Sequence, residues 1–371
     1  MKKAIVSVIN DLATDRRVDK SCNALQKAGF DVLLVGRLLK DSLPLSNRPY
    51  KTHRMRLAFA KGPLFYAEYN IRLFFFLLFR KFDLLFSNDI DTTLPNLFAR
   101  KLKGGKLILD CHEYFTETPE LTNRKAVQNI WKKIERFTLP KVDELITVND
   151  SIAKLFNERY GLHAQVIRNI PPSPGASRVK SRKELGWPED KKIIILQGSG
   201  INIERGAEEL TLAMKNTEGM LLFIIGGGDV FRKLQMIVDK NNLRDKVVLH
   251  PKVPFHELYQ YSVNADLGVT IDKDTNINYH YSLPNKLFDY IQAGLPVLAS
   301  RLPEIEKIIS QYDIGTFIEK HDPEHIAEKL KEIFGQPEKL QSWNKNIMFA
   351  MQELRWETEE KQLISVIKQY A

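Results

Sequence analysis

Cysteine is nearly absent: Cys22 and Cys111 are the only two among 371 residues. Neither sits in a metal-ligand spacing, which argues against a disulfide framework or structural zinc and fits a reducing cytosol. Long apolar runs are missing too. The greasiest stretch, Leu73–Phe79, is bracketed by Arg72 and Arg80 and falls far short of the ~20 residues that a spanning helix needs. Lys2 and Lys3 precede an apolar run, but it stops at Asn10-Asp11 with no small-residue cleavage site after it, so it reads as a first strand. No internal repeat or low-complexity tract stands out. With 43% apolar and 27% charged residues, the composition is that of a folded soluble protein.

What is present in excess is positive charge. The formal net charge of +9 favours an anionic partner: nucleic acid, an acidic membrane face or a phosphorylated substrate. The basic residues are scattered and form no recognisable nucleic-acid module, so we expect no nucleic-acid partner. A chain of this length is too long for one ordinary core and suggests about two domains.

Apolar, β-rich runs alternate with helical patterns from the first residue to about Phe334, the signature of an α/β protein with parallel sheets covered on both faces. Predicted strands of the first half are Lys3–Ile9, Asp31–Gly36, Asp83–Ser87, Lys106–Asp110, Glu144–Val148 and Ala164–Arg168. Thr14 is expected to cap the first helix, Val18, Cys22, Leu25 and Ala28 to form its apolar stripe, and Gly29 to stop it. Three prolines and a glycine between Pro171 and Ser177 break the rhythm and mark a linker. Alternation restarts with Lys192–Gln197, Met220–Gly226, Lys246–Leu249, Asp266–Thr270, Pro296–Ala299 and a short strand near Asp313–Phe317. The tail from Pro337 is helical, with Trp343 and Trp356, and must bury its apolar side on a domain already built. The expected domains are 1–172, joined by a returning helix of about 355–371, and 173–354.

In such sheets ligands lie beyond the carboxyl ends of strands, so the residues that follow strands carry most weight. Gly198, Ser199 and Gly200 follow the first strand of the second half, and Arg205-Gly206 opens the next helix, a pattern suited to a phosphate. An ordinary glycine turn with a solvated arginine is the plainer reading. Gly226-Gly227-Gly228-Asp229 offers a second close backbone approach on the same edge, or a plain strand-to-helix turn. In Tyr281–Ser300, Lys286 and Asp289 share a helix face, where a lysine can meet diphosphate and a carboxylate can accept from ribose hydroxyls; a surface ion pair between them is the alternative. Asp110-Cys111-His112-Glu113 ends a strand of the first half, which makes His112 and Glu113 candidates for contacting a sugar. Of Arg16 and Arg17, one is expected to face the ligand and one the solvent. The run Tyr66, Tyr69, Phe74, Phe75, Phe76 and Phe79, with Arg72, Arg80 and Lys81, suits burial against the sheet or an amphipathic membrane contact.

Together these residues resemble glycosyltransferase family 4, retaining enzymes of the GT-B fold, and the likeness spans nearly the whole chain. The resemblance implies two Rossmann-like, doubly wound parallel-sheet domains facing a cleft, with a C-terminal helix crossing back to the first. Gly198, Ser199 and Arg205-Gly206 are similar to the family's donor-diphosphate segment, with Ser199 where many members carry a second arginine. Phe288–Val297 resembles the second part of its paired-glutamate signature; Asp289 takes the second acidic position and Tyr281 the first. Asp110–Phe115 and Asn88–Thr93 are similar to stretches of bacterial polysaccharide-assembling members.

The function so implied is transfer of a sugar, with retention, from a nucleotide-diphosphate sugar to a growing glycan or lipid-linked acceptor. Gly198, Ser199, Gly200, Arg205 and Lys286 would hold the diphosphate, and Gly226, Gly227 and Asp289 the nucleoside. His112 and Glu113 would be catalytic, while Arg16, Tyr281, Ser282 and Asn285 would serve the sugar and acceptor. No metal or other cofactor is expected. The expected location is the cytoplasm, with possible peripheral contact to the anionic inner membrane face. A nucleotide-sugar 2-epimerase of the same fold, or an inactive membrane scaffold, are the alternatives.

Overall fold

The computed structural model describes the chain apart from residues 14, 41, 46 and 174–177 and the side chains of 255 and 256. Thr14 and the end of the expected linker, Pro174–Ser177, thus lie outside the described residues. Two compact units divide the chain: Met1–Asn169 with Thr358–Ala371, and Ile170–Glu357.

Among the described residues the first unit carries seven strands, β1 (Lys3–Asp11), β2 (Asp31–Leu38), β3 (Lys51–Arg56), β4 (Leu84–Asn88), β5 (Lys106–Cys111), β6 (Glu144–Thr147) and β7 (Gln165–Val166). They form one sheet in the order β3-β2-β1-β4-β5-β6-β7, and every pairing is parallel. The second unit has β8 (Lys192–Gly198), β9 (Met220–Gly226), β10 (Val247–Pro251), β11 (Leu267–Thr270), β12 (Val297–Ser300) and β13 (Gly315–Ile318). Its order, β10-β9-β8-β11-β12-β13, repeats the same winding. Both sheets therefore reverse direction beside their first strand, where doubly wound folds bind ligands.

Burial on both faces explains why these strands read as continuous apolar runs. Ile194 and Leu196 of β8 enter one core with Leu222 and Ile224 of β9, and Ile193 and Ile195 enter the other with Leu221, Phe223 and Ile225. The expected strands all form, but β3 has no counterpart among them. Its sequence, Lys-Thr-His-Arg-Met-Arg, buries only Met55, as suits a sheet edge, and so carries no apolar run to read.

The first helix, Arg16–Lys27, is capped by Asp15, whose carboxylate accepts from the Val18 amide at 3.2 Å. Its stripe of Val18, Cys22, Leu25 and Ala28 is buried, and Gly29 takes a left-handed φ of +97°. The helix Gly62–Leu78 divides the aromatic run. Phe65, Tyr69, Leu73 and Leu77 pack under the sheet, while Phe75 and Phe79 point outward, so burial accounts for one face only.

In the tail, Trp343 of the helix Pro337–Glu353 is buried in the second unit, its Nε1 donating to Asp313 at 3.1 Å. The last helix, Trp356–Lys368, belongs to the first unit from Thr358 onward. Its Glu359 pairs with Arg168 at 2.6 Å, and the Tyr370 hydroxyl beyond it donates to the Asp143 carbonyl at 3.2 Å.

Candidate active site

In the second unit the turns after β8 and β9 are laced together. The Gly227 amide donates to the Gly198 carbonyl at 3.3 Å, and the Ile201 amide donates to the Gly227 carbonyl at 2.7 Å. Only glycine fits at 226, where φ is +149° and a Cβ would collide with the Gly198 carbonyl oxygen. The glycines thus serve strand-to-strand approach first, and leave Ser199 and Gly200 exposed beside them. Gly206 is equally constrained, with φ +73° and a Cβ position occupied by the Ile271 carbonyl. That contact fixes where Arg205 stands.

Arg205 and Lys286 meet on one carboxylate. Asp272, two residues past the end of β11, accepts from Arg205 at 2.9 Å and from Lys286 at 3.2 Å. The Asp272 side chain is 0% exposed, that of Lys286 11% and that of Arg205 28%, so the acid lies beneath and the cations above it. Arg205 also lies 4.7 Å over the Tyr279 ring. Burial lowers the pKa of Lys286, and Asp272 opposes that shift by favouring the ammonium.

Asp289, one turn beyond Lys286, is buried, and its carboxylate accepts from the Gln197 amide nitrogen at 3.2 Å. Gln197 directly precedes Gly198, so Asp289 joins the same edge. Tyr290 ties the two central strands there: its hydroxyl lies 3.2 Å from the Ile195 carbonyl and 3.1 Å from that of Val269. Ser282 donates its amide to Tyr279 at 3.0 Å, Tyr281 packs edge-on to His280 at 4.5 Å, and Asn285 is exposed at the head of the helix Asn285–Gln292.

In the first unit the carboxyl edge holds a buried ionic cluster. Arg17 forks onto Asp110 at 2.9 and 2.5 Å and donates to the Ile167 carbonyl at 2.9 Å. His112 sits above it, with Nε2 3.4 Å from Asp110 and 3.2 Å from the Asn88 amide oxygen, and Nδ1 3.4 Å from Asp89. Burial alone would lower its pKa, but the carboxylates of Asp89 and Asp110 outweigh that and push it up to about 9. His112 is thus held as an imidazolium at neutral pH, with 19% of its side chain exposed.

Asp89 pays for this placement in backbone strain. Its φ of +57° is uncommon for a residue with a side chain, and costs about 1–3 kcal/mol. The Asp89 amide donates to the Asp110 carbonyl at 2.9 Å, and its carboxylate accepts from the His112 amide at 2.8 Å, which locks the turn. Asp91, in the first turn of the helix Ile90–Lys103, is buried, and both burial and Asp89 push its carboxyl pKa well up. Glu113 is half-buried beside His112, whereas Arg16 is exposed at the start of its helix. The arginine inside the cluster is Arg17.

Asp272 escaped the motif reading, while Asp89 entered it only within the stretch Asn88–Thr93 and Arg17 only as the alternative to Arg16. Each stands within a few residues of a strand end or helix start, which is the signal that could have found them. Among the described residues no cluster of three or more His, Cys, Asp or Glu side chains suits a metal, and no helix is long and apolar enough to cross a membrane.

Two parallel, doubly wound sheets with ligand-ready carboxyl edges define the GT-B architecture. The description "Glycosyltransferase Family 4" matches residues 15–173 and "Glycosyl transferases group 1" matches 177–348. The chain belongs to the family 4 type of GT-B glycosyltransferases. Among solved structures it is similar to sucrose-phosphate synthase from Thermosynechococcus elongatus, with TM-score 0.82, 17% identity and coverage of 100% of this chain and 99% of that one. The Anabaena protein HepE in complex with UDP-glucose gives 0.74 and 12%, with both chains fully covered (100% each). WaaG, a glycosyltransferase involved in lipopolysaccharide biosynthesis, gives 0.71 and 16%, covering 98% and 99%. Among curated proteins none matches the sequence.

Proposed function

We propose that this glycosyltransferase takes a nucleoside-diphosphate sugar as donor and transfers the sugar, with retention, to a growing glycan or lipid-linked acceptor of a cell-surface polysaccharide. The observation that carries the reading is the pair Arg205 and Lys286 held over the buried Asp272, beside the turns after β8 and β9. Two cations gathered on one acid at a strand-end edge suit a diphosphate, and HepE, of the same fold, holds UDP-glucose in its structure.

As the bond from the anomeric carbon to the diphosphate oxygen breaks, positive charge grows on the sugar ring and negative charge on the departing phosphate. Arg205 and Lys286 would stabilise that phosphate, and Ser199 and Gly200 would lie against it. Asp289 would accept from the ribose, near Gly226 and Gly227. The acceptor hydroxyl would bond to the anomeric carbon on the face the phosphate leaves, passing its proton to a phosphate oxygen. His112, as an imidazolium, can donate to a sugar hydroxyl or phosphate oxygen; Glu113, Arg16, Tyr281, Ser282 and Asn285 are assigned to sugar and acceptor. The chemistry needs no metal in this scheme. Both cysteines are free, buried thiols, in keeping with the cytoplasmic location we assign.

Thermal unfolding with a panel of nucleoside diphosphates and their sugars tests the donor. A ligand at about 100 times its Kd should add about 2.7 kcal/mol of stability. A selective shift names the base. Folded protein that responds to no nucleotide would overturn the reading. With a donor found, the anomeric proton coupling of the product settles retention, and release of free sugar nucleotide epimer without acceptor would point to an epimerase.

A further inference from the structure

The helix Gly62–Leu78 is apolar on two opposite faces. Opposite its buried stripe it carries Leu64, Ile71 and Phe75, the last 51% exposed, and Phe79 at its end is 82% exposed. A helix apolar all round is normally covered on both sides.

The neighbouring helix extends this face. Ile90–Lys103 exposes Phe98 and Leu102. Lys103 binds the two helix ends together, donating to the carbonyls of Leu77 at 3.2 Å and Leu78 at 2.8 Å. Phe98 touches Phe137, also exposed, with ring centroids 6.3 Å apart. Single exposed apolar residues need no explanation, but a connected set of this kind marks an interaction surface.

Charge decides what it meets. Helices that follow strands in a parallel sheet end at the amino edge of the strands, away from the candidate active site. An open cavity of about 330 Å³ lies there, with Phe79 in its wall and Lys3, Lys51, Arg80 and Lys81 as its cations. Asp31 is its one acidic lining residue, 3.4 Å from Lys51. Lys101, Lys103 and Lys141 are exposed on the same helix ends. Cations beside outward aromatics match a surface that is negative at its rim and apolar beneath. A second copy of this chain would bring cation against cation.

We propose that this face of the first unit docks on an anionic lipid bilayer, with Phe75, Phe79 and Leu102 in the interfacial layer and a lipid phosphate in the basic cavity. This does not depend on the donor reading, because lipid binding is measured without turnover.

The test is co-sedimentation of the full chain with vesicles of equal parts phosphatidylglycerol and phosphatidylcholine, against vesicles of phosphatidylcholine alone. The protein should pellet with the first and stay in solution with the second, and high salt should release it. Phe75→Ser with Phe79→Ser and Leu102→Ser, and separately Arg80→Glu with Lys81→Glu, should each weaken binding by ~10-fold or more. Circular dichroism confirms that each variant folds; the replaced side chains point outward and carry little of the core. Wild-type protein that ignores anionic vesicles, or folded variants that bind as it does, would overturn the proposal. So would a dimer in solution that the serine variants dissolve, since the face would then be a protein interface.

Discussion

The two sheets share one strand order, yet their carboxyl edges hold charge in opposite ways. The first edge is built of ionic side chains that answer one another: Arg17 forks onto Asp110, and His112 lies between Asp110 and Asp89. The second edge is cleared by glycine, and two cations meet on a single carboxylate. An edge whose ions are matched internally sets its own protonation state. An edge where two cations share one carboxylate keeps an excess of positive charge, which suits the anion proposed for it. The same scaffold thus holds a histidine between two carboxylates in one unit and two cations over one carboxylate in the other.

The largest effect should come from removing either of these cations. Lys286→Ala or Arg205→Ala should lower kcat/KM by ~10³-fold with the fold unchanged, because each would remove the charge-assisted contact proposed for the leaving phosphate. Steady-state kinetics checks this, and retention of full activity in either variant would dissolve the contrast between the edges. Gly226→Ala breaks the second edge at its backbone. The new Cβ meets the Gly198 carbonyl at a left-handed φ, and a loss of ~2–4 kcal/mol is expected in denaturant unfolding of the second unit.

Asp272→Asn sharpens the comparison. Without the carboxylate that favours the Lys286 ammonium, burial and the neighbouring Arg205 charge act unopposed on that lysine, and nucleotide affinity should fall away at a lower pH than in the wild type. Calorimetric titration across pH shows it; an unchanged alkaline limb would remove Asp272 from this role.

For the first edge the test is His112. Its folded-state pKa, pushed up to about 9, lies above the ordinary value of about 6.5. The stability it contributes is therefore fully present below about 6.5 and is lost as pH rises through about 9. Imidazole resonances should titrate near 9 in the wild type and lower in Asp89→Asn, and His112→Gln should flatten stability over that pH range. The smallest effect is the expected null: EDTA should leave the transfer rate unchanged.

Much of this was legible beforehand, for physical reasons that differ by residue. Strands buried on both faces announce themselves as apolar runs; Gly198, Arg205 and Lys286 drew notice because each stands at a strand end or helix start, and Asp289 because it lies one turn beyond Lys286. β3 could not, since an edge strand of lysine, histidine and arginine carries no apolar run. Asp272 was silent because an aspartate after a strand looks like any turn residue until Arg205 and Lys286, 67 and 14 positions away, arrive on it. Asp89 was hidden by its backbone: a strained φ has no signature in sequence. The aromatic helix misled in a different way, because a two-sided apolar pattern does not say which side meets the sheet.

The return of the last helix to the first unit has a consequence for synthesis. Leu363, Val366 and Ile367 are buried, and Glu359, Glu360 and Tyr370 pair with Arg168, Lys27 and the Asp143 carbonyl. These partners emerge from the ribosome on either side of the second unit, which is made between them. The amino-terminal part of the first unit must therefore wait, without this helix, until the second unit has been synthesised. The second unit, continuous in sequence from Ile170 to Glu357, has no such delay, so the unit begun last is the first whose parts are all available.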